Sequence, residues 1–155
     1  MWDLLRHLTS IDPVPWVCIG DFNEILNLLE KWGGNKRQRG LIEAFQSTLE
    51  DCRLLDLGYQ GQKFTWNNGR AGNDFVKERL DRVVANEEWC EIFPKVDICV
   101  EEEMSSVHCP IYVTLQEDMK RRRRTHLFRH MMQDGCGRRV TPRQLKKYRW
   151  RKVYR

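Results

Sequence analysis

The chain has 155 residues, 41% of them apolar and 32% charged, with a formal net charge of +5. That length holds one domain with a sizeable core, and no stretch approaches the roughly 18 unbroken apolar residues of a membrane span. The charge divides sharply, with 12 Lys/Arg against 19 Asp/Glu in residues 1–115 (net −7) and 15 against 3 in residues 116–155 (net +12), which predicts an acidic folded body and a basic tail, disordered or helical.

In chain order, "MWDLLRHL" sets Trp2, Leu5 and Leu8 at i, i+3, i+6 and predicts a short amphipathic helix. Asp3, Arg6 and His7 interrupt its apolar part, unlike a signal peptide. Pro13 and Pro15 end it, and "WVCI" (16–19) reads as a buried strand. In "GLIEAFQSTLEDCRLL", Leu41, Phe45, Thr48, Leu49 and Cys52 recur at helical spacing. "KFTW" (63–66), the turn chemistry of "NNGRAGND", and "FVKERLDRVVA" (75–85) predict a hairpin. "NEEWCEIF" (86–93) reads as a short helix capped by Asn86, and "VDICV" (96–100) and "PIYVTL" (110–115) as two further strands, giving an α/β (α+β) body. The six cysteines, at 18, 52, 90, 99, 109 and 136, form no C-x-x-C pair. With no secretory signal they read as reduced thiols of an intracellular protein, and the arginine run "KRRRR" (120–124) is compatible with a nuclear one.

Three places carry chemistry. Asp21 and Asn23 follow the strand in "GDFN", at the end of a sheet where sites gather. There Asp21 would take a proton or a metal and Asn23 would donate to an oxyanion, or both would simply bond the backbone of a turn. Asp81 falls inside an apolar strand, where an unpaired carboxylate costs several kcal/mol, on the order of a lost ion pair. Its partner is either Arg79 or Arg82 beside it, or a group from elsewhere. His108, just before Pro110 and the last strand, is a structural residue or such a partner. An Asp–His pair from separate strands would fix the imidazole tautomer and aim the ring at a phosphate oxygen.

"GDFNE", "FTW", "RLDR" and Ser-x-His-Cys-Pro-Ile occur here in one order. This set resembles the endonuclease/exonuclease/phosphatase superfamily, most closely the endonuclease domain of plant LINE-type retrotransposons. The Gly pair at 33–34 agrees with it, and the basic continuation resembles the linker leading toward a reverse transcriptase. The resemblance implies a four-layer α/β sandwich and Mg²⁺-dependent cleavage of phosphodiester bonds in DNA. By it, Asp21 orients or deprotonates the attacking water, Asn23 binds the scissile phosphate, and Asp81 orients His108, which stabilises the pentacovalent phosphate. Trp66 would line the nucleic-acid face, and Arg121, Arg122, Arg123 and Arg124 would add sequence-independent contacts.

Two departures bear on activity. The family's Ser-Asp-His is Ser106-Val107-His108 here, so an isopropyl group replaces a carboxylate that helps hold the metal. The family's first-half Asn and Glu, the latter the main metal ligand, have no counterpart before residue 12. The resemblance therefore aligns residues 1–115 with the C-terminal half of the domain, a partial sandwich completed by another chain or leaving an apolar sheet face bare. Glu24, Glu30 and the acids at 101–103 are candidate replacement ligands, read first as solvated surface. Two classes stay open: a phosphodiesterase that is inactive as an isolated chain, and a catalytically silent nucleic-acid-binding or interaction protein acting through its tail.

Overall fold

In the computed structural model, which describes residues 2–11, 14–102 and 106–115, the run after the two prolines forms strand β1 (Val17–Asp21). It pairs antiparallel with β7 (Asp81–Asn86), register Val17↔Ala85 to Asp21↔Asp81, and β3 (Leu54–Asp56) flanks β7 on its other edge. A second sheet holds β4 (Gln60–Gly61), β8 (Val96–Val100) and β9 (Ile111–Leu115) in that order, with β4 parallel to β8. A third, small antiparallel sheet orders β2 (Lys31–Trp32), β6 (Lys77–Glu78) and β5 (Trp66–Asn67).

Strand alternation assigns the two faces of the β1–β7–β3 sheet. Cys18, Val84 and Leu54 point toward α1 (Trp2–Ile11) and α2 (Arg39–Asp51), in a core with Leu5, Phe22, Phe45 and Leu49. There the Trp2 and Phe45 rings stack at 4.7 Å, and Arg6 of α1 reaches Asp51 of α2 at 2.9 Å. Val17, Val83 and Ala85 point the other way and pack against Ile98, Val100 and Ile111 of the second sheet and Trp89 of α3 (Glu87–Ile92). The result is a mixed α+β body layered helix, sheet, sheet.

Asn86 joins these parts. Its side chain accepts from the Trp89 N–H as the cap of α3 and from the Trp16 N–H at 2.9 Å, and donates to the Val14 carbonyl.

The structure corrects three expectations. Residues 75–85 are not one strand: the chain leaves β6 at Glu78, turns through Arg79–Leu80, and enters a different sheet as β7, so Asp81 begins its strand. In α2 the inward residue of the first turn is Ile42, while Leu41 is exposed. No apolar sheet face is bare among the described residues, because the two larger sheets cover each other and the exposed large apolar residues lie on helices, turns and edges. The five described cysteines form no disulfide, and burial pushes the Cys18 thiol up to about 12, making it inert. No helix among the described residues is long and apolar enough to cross a membrane. Arg121–Arg124 and the rest of 116–155 lie outside the described residues.

Candidate active site

The register Asp21↔Asp81 sets two carboxylates directly opposite each other at the end of the β1–β7 ladder. Both lie on the face that Val17 and Val83 bury, so they stand at one end of the seam between the two larger sheets. Like charges in opposing positions destabilise a sheet. This acid pair therefore needs a compensating neighbour, and His108 is one: its Nδ1 lies 2.8 Å from Asp81 Oδ2. Ligand atoms of Asp21, Asp81 and His108 all fall within 4.8 Å of one another, half-buried.

Each side chain is held from behind. The Thr65 hydroxyl, fully buried, accepts from both the Leu80 and the Asp81 N–H at 3.0 and 2.8 Å. One side chain thus satisfies the ladder groups that the break before β7 leaves over. The segment carrying His108 is laced to the same stretch: Asn67 N–H donates to the Val107 carbonyl, Cys109 N–H to the Thr65 carbonyl, and Trp66 and His108 form a bridge. The Ser106 hydroxyl accepts from the His108 N–H. After β1, Asn23 takes a left-handed φ of 56°, which Asn tolerates, and its backbone N–H bonds Asp21 Oδ1 at 2.8 Å.

The arginines beside Asp81 serve another cluster. Consecutive strand residues point to opposite faces, so Arg82 turns toward the helices while Asp81 turns to the seam. Arg82, with its side chain fully buried, bonds Glu30 Oε2 at 2.9 Å and Asp56 Oδ2 at 2.8 Å, and its guanidinium lies over the Phe45 ring. Arg79 bonds the same two acids and stacks on Tyr59. Burial pushes the Glu30 carboxyl upward, but Arg82, the Leu26 N–H and Arg79 outweigh it and hold it below the ordinary carboxylate range. Asp56 is held low against burial in the same way, chiefly by Arg79. A second cluster joins Glu78 to Lys31 and Arg37, with Arg37 also near Glu24, and lowers Glu78 against its burial.

The expectation that Glu24 and Glu30 are solvated surface is therefore wrong. Both are buried, and their charges are used by arginines. Glu101 and Glu102 are exposed, as a solvated pair would be.

Of the residues singled out from sequence, Asp21, Asp81 and His108 come together, and Trp66 adjoins them through its bridge. Trp66 is half-buried and packs on the cluster of Ile25, Ile42 and Leu80, so its first role is in the core. Asn23 is next to Asp21, but what joins them is the Asn23 backbone rather than its carboxamide. Thr65 and Asp56 escaped sequence reasoning, and Glu30 was singled out in another role. Thr65 looked like one more strand residue, and the two acids lie 49 and 23 residues from the Arg79 they serve.

Asp21, Asp81 and His108 could hold a metal ion, but two carboxylates and one imidazole match the all-oxygen octahedron of Mg²⁺ only in part. Asp81 Oδ2 is engaged by His108 and Asp21 Oδ1 by the Asn23 N–H. His108 is a nitrogen donor where Mg²⁺ demands oxygens in an octahedron, and the neighbouring Val107 offers none. No protein-family model matches the chain, and no curated protein matches it.

Proposed function

We propose that the cluster of Asp21, Asn23, Asp81 and His108 is a phosphodiester-directed site on the plan of the endonuclease/exonuclease/phosphatase superfamily, in a chain derived from a LINE-type retrotransposon endonuclease. Its layers of helix, sheet and sheet are compatible with part of that family's four-layer sandwich. The observation that carries this reading is the Asp81–His108 contact at 2.8 Å with Asp21 across the ladder. An Asp that holds Nδ1 fixes the tautomer and stabilises the charged ring, so the second ring nitrogen becomes the donor to a phosphate oxygen. Asp21 is the acid placed to orient a water.

Phosphoryl transfer also needs positive charge where the phosphate and leaving oxygen become more negative. Arg79 and Arg82, the cations next to Asp81 in sequence, are committed to Glu30 and Asp56, as Lys31 and Arg37 are to Glu78. The site therefore positions a phosphodiester without supplying the largest electrostatic contribution, and the isolated chain is catalytically silent.

Two measurements test this. Titrating a dinucleotide, whose one internal phosphate is a diester, into the protein should move the His108 imidazole signals in NMR, and Asp81→Asn should weaken the effect; unmoved signals would remove the site. Plasmid nicking should be undetectable with added Mg²⁺, including in Val107→Asp. Robust nicking abolished by both EDTA and Asp21→Ala would make the chain a working nuclease. The tail's 15 Lys/Arg against 3 acids favour sequence-independent DNA binding that weakens steeply with salt, and deleting 116–155 should abolish most of it.

A further inference from the structure

The small β2–β6–β5 sheet has two unlike faces. Lys31, Glu78 and Trp66 share the inner one through the registers Lys31↔Glu78 and Trp66↔Glu78, with Glu78 buried. Trp32, Lys77 and Asn67 share the outer one, and Trp32 is 54% exposed there. The Trp32 ring is braced edge-on by Phe75 at 5.9 Å, and the Lys77 ammonium stands 5.2 Å from the Phe75 centroid. The turn after Trp32 is pressed against the same residue: a Cβ on Gly33, at φ +78°, would come 2.2 Å from the Phe75 carbonyl oxygen. The indole is thus a supported side chain on short strands rather than a tip on a loose loop.

Charge is concentrated around it. Residues 31–40 and 61–77, which form and flank this sheet, contain seven of the 12 Lys/Arg of the first 115 residues and one acid, Asp74. Glu78 takes Lys31 and Arg37. Lys36, Arg39, Lys63 and Arg70 are exposed, and Lys77 is half-exposed. The remainder of that body is acidic, so the segments that form and flank this sheet are its basic part, with Trp32, Phe75 and Lys77 grouped on the sheet itself.

We propose that this outer face binds single-stranded nucleic acid, with a base stacked on Trp32 and phosphates taken by Lys77, Lys36, Arg39 and Arg70. An aromatic flanked by cations is the chemistry of sequence-tolerant single-strand binding, whereas a duplex keeps its base faces covered. The exposed Leu28 and Leu29 nearby would also suit an acyl surface, but the face around Trp32 is charged, which favours a polyanion with rings. The surface uses no atom of the Asp21–Asp81–His108 cluster and stands whether or not that cluster binds a phosphodiester.

The test uses the full chain and fluorescence anisotropy with a labelled oligothymidylate and a duplex of equal length, at high salt where the tail contributes least. Trp32→Ala should weaken oligothymidylate binding roughly five- to hundredfold, as expected for loss of one stacked base, and leave duplex binding unchanged. Trp32→Phe should restore most of the affinity, and Lys77→Gln should lower the salt slope by about one. Trp32→Ala with wild-type oligothymidylate affinity, or with an equal loss on duplex, overturns the proposal. So does a Trp32-dependent association with phosphatidylserine vesicles, or with a second copy of the chain, while oligothymidylate binding is unaffected.

Discussion

Replacing Glu30 by Gln probes the charge cluster that frees Asp81 for His108. Glu30 and Asp56 balance Arg79 and Arg82, two anions against two cations, and all four side chains are under 20% exposed. Gln keeps the shape and one acceptor, so the bonds to Leu26 N–H and one guanidinium survive in part. One buried positive charge, however, loses its counter-ion. Breaking a buried pair from one side costs about 3–5 kcal/mol, a large part of the roughly 5–15 kcal/mol that holds a domain folded. With a urea m-value of about 2 kcal/mol/M, the midpoint should fall by about 2 M at pH 7. Removing both members, in Glu30→Leu with Arg82→Met, should cost less than Glu30→Gln alone, because no orphan charge remains. A midpoint shift below about 0.5 M for Glu30→Gln, or a double variant worse than the single one, would refute the charge-balance reasoning.

Acid should unfold the protein steeply. Glu30, Asp56 and Glu78 all have lowered folded-state pKa values, so the unfolded chain binds their protons first as pH falls. Their stabilisation is complete above about pH 5 and lost as pH drops through the folded values, with a slope of up to about 4 kcal/mol per pH unit for three protons. Denaturant midpoints measured from pH 7 to pH 3 check this, and a flat profile would count against the assignments. Asp21→Asn relieves the repulsion with Asp81 and keeps an oxygen for the Asn23 N–H. It should stabilise by about 0.5–1 kcal/mol, raising Tm by a few degrees, and a lowered Tm would contradict it.

The helices, β1, β8 and the Asn86 cap were legible because each is a local pattern: apolar period, β-branched run, cap residue. Residues 31–32, 54–56 and 60–61 were not, since two- and three-residue strands are made by their partners rather than by their own propensity. The break between Glu78 and Asp81 was hidden for a related reason. "FVKERLDRVVA" reads as continuous β-former, and what divides it is Thr65, thirteen or more residues upstream, supplying one hydroxyl to two backbone donors. At the site, Asp81 and His108 could be named from their types, but only the fold shows Asp21 opposite Asp81. The misreading of Glu24 and Glu30 had a simple origin: a glutamate in a polar stretch looks solvated until an arginine from elsewhere is found beside it, the buried Arg82 of β7 for Glu30 and the half-buried Arg37 of a loop for Glu24.

The pleat explains how one short run serves two purposes. In Arg79-Leu80-Asp81-Arg82, the strand begins at Asp81, so Asp81 and Arg82 must project to opposite faces. Had they shared a face, the guanidinium would have neutralised Asp81 and left His108 without its carboxylate. Instead Arg82 is buried against Phe45 and the acids of the helix side, while Asp81 faces the seam beside Asp21. The three apolar pairs Val17↔Ala85, Cys18↔Val84 and Ile19↔Val83 precede the acid pair in the ladder and carry the pairing energy that keeps two carboxylates opposed. A sheet that only needed to be stable would end this ladder with opposite charges. This one ends it with two acids and a histidine, and local destabilisation of that kind, tolerated within an otherwise satisfied charge network, is what the proposed phosphodiester site requires.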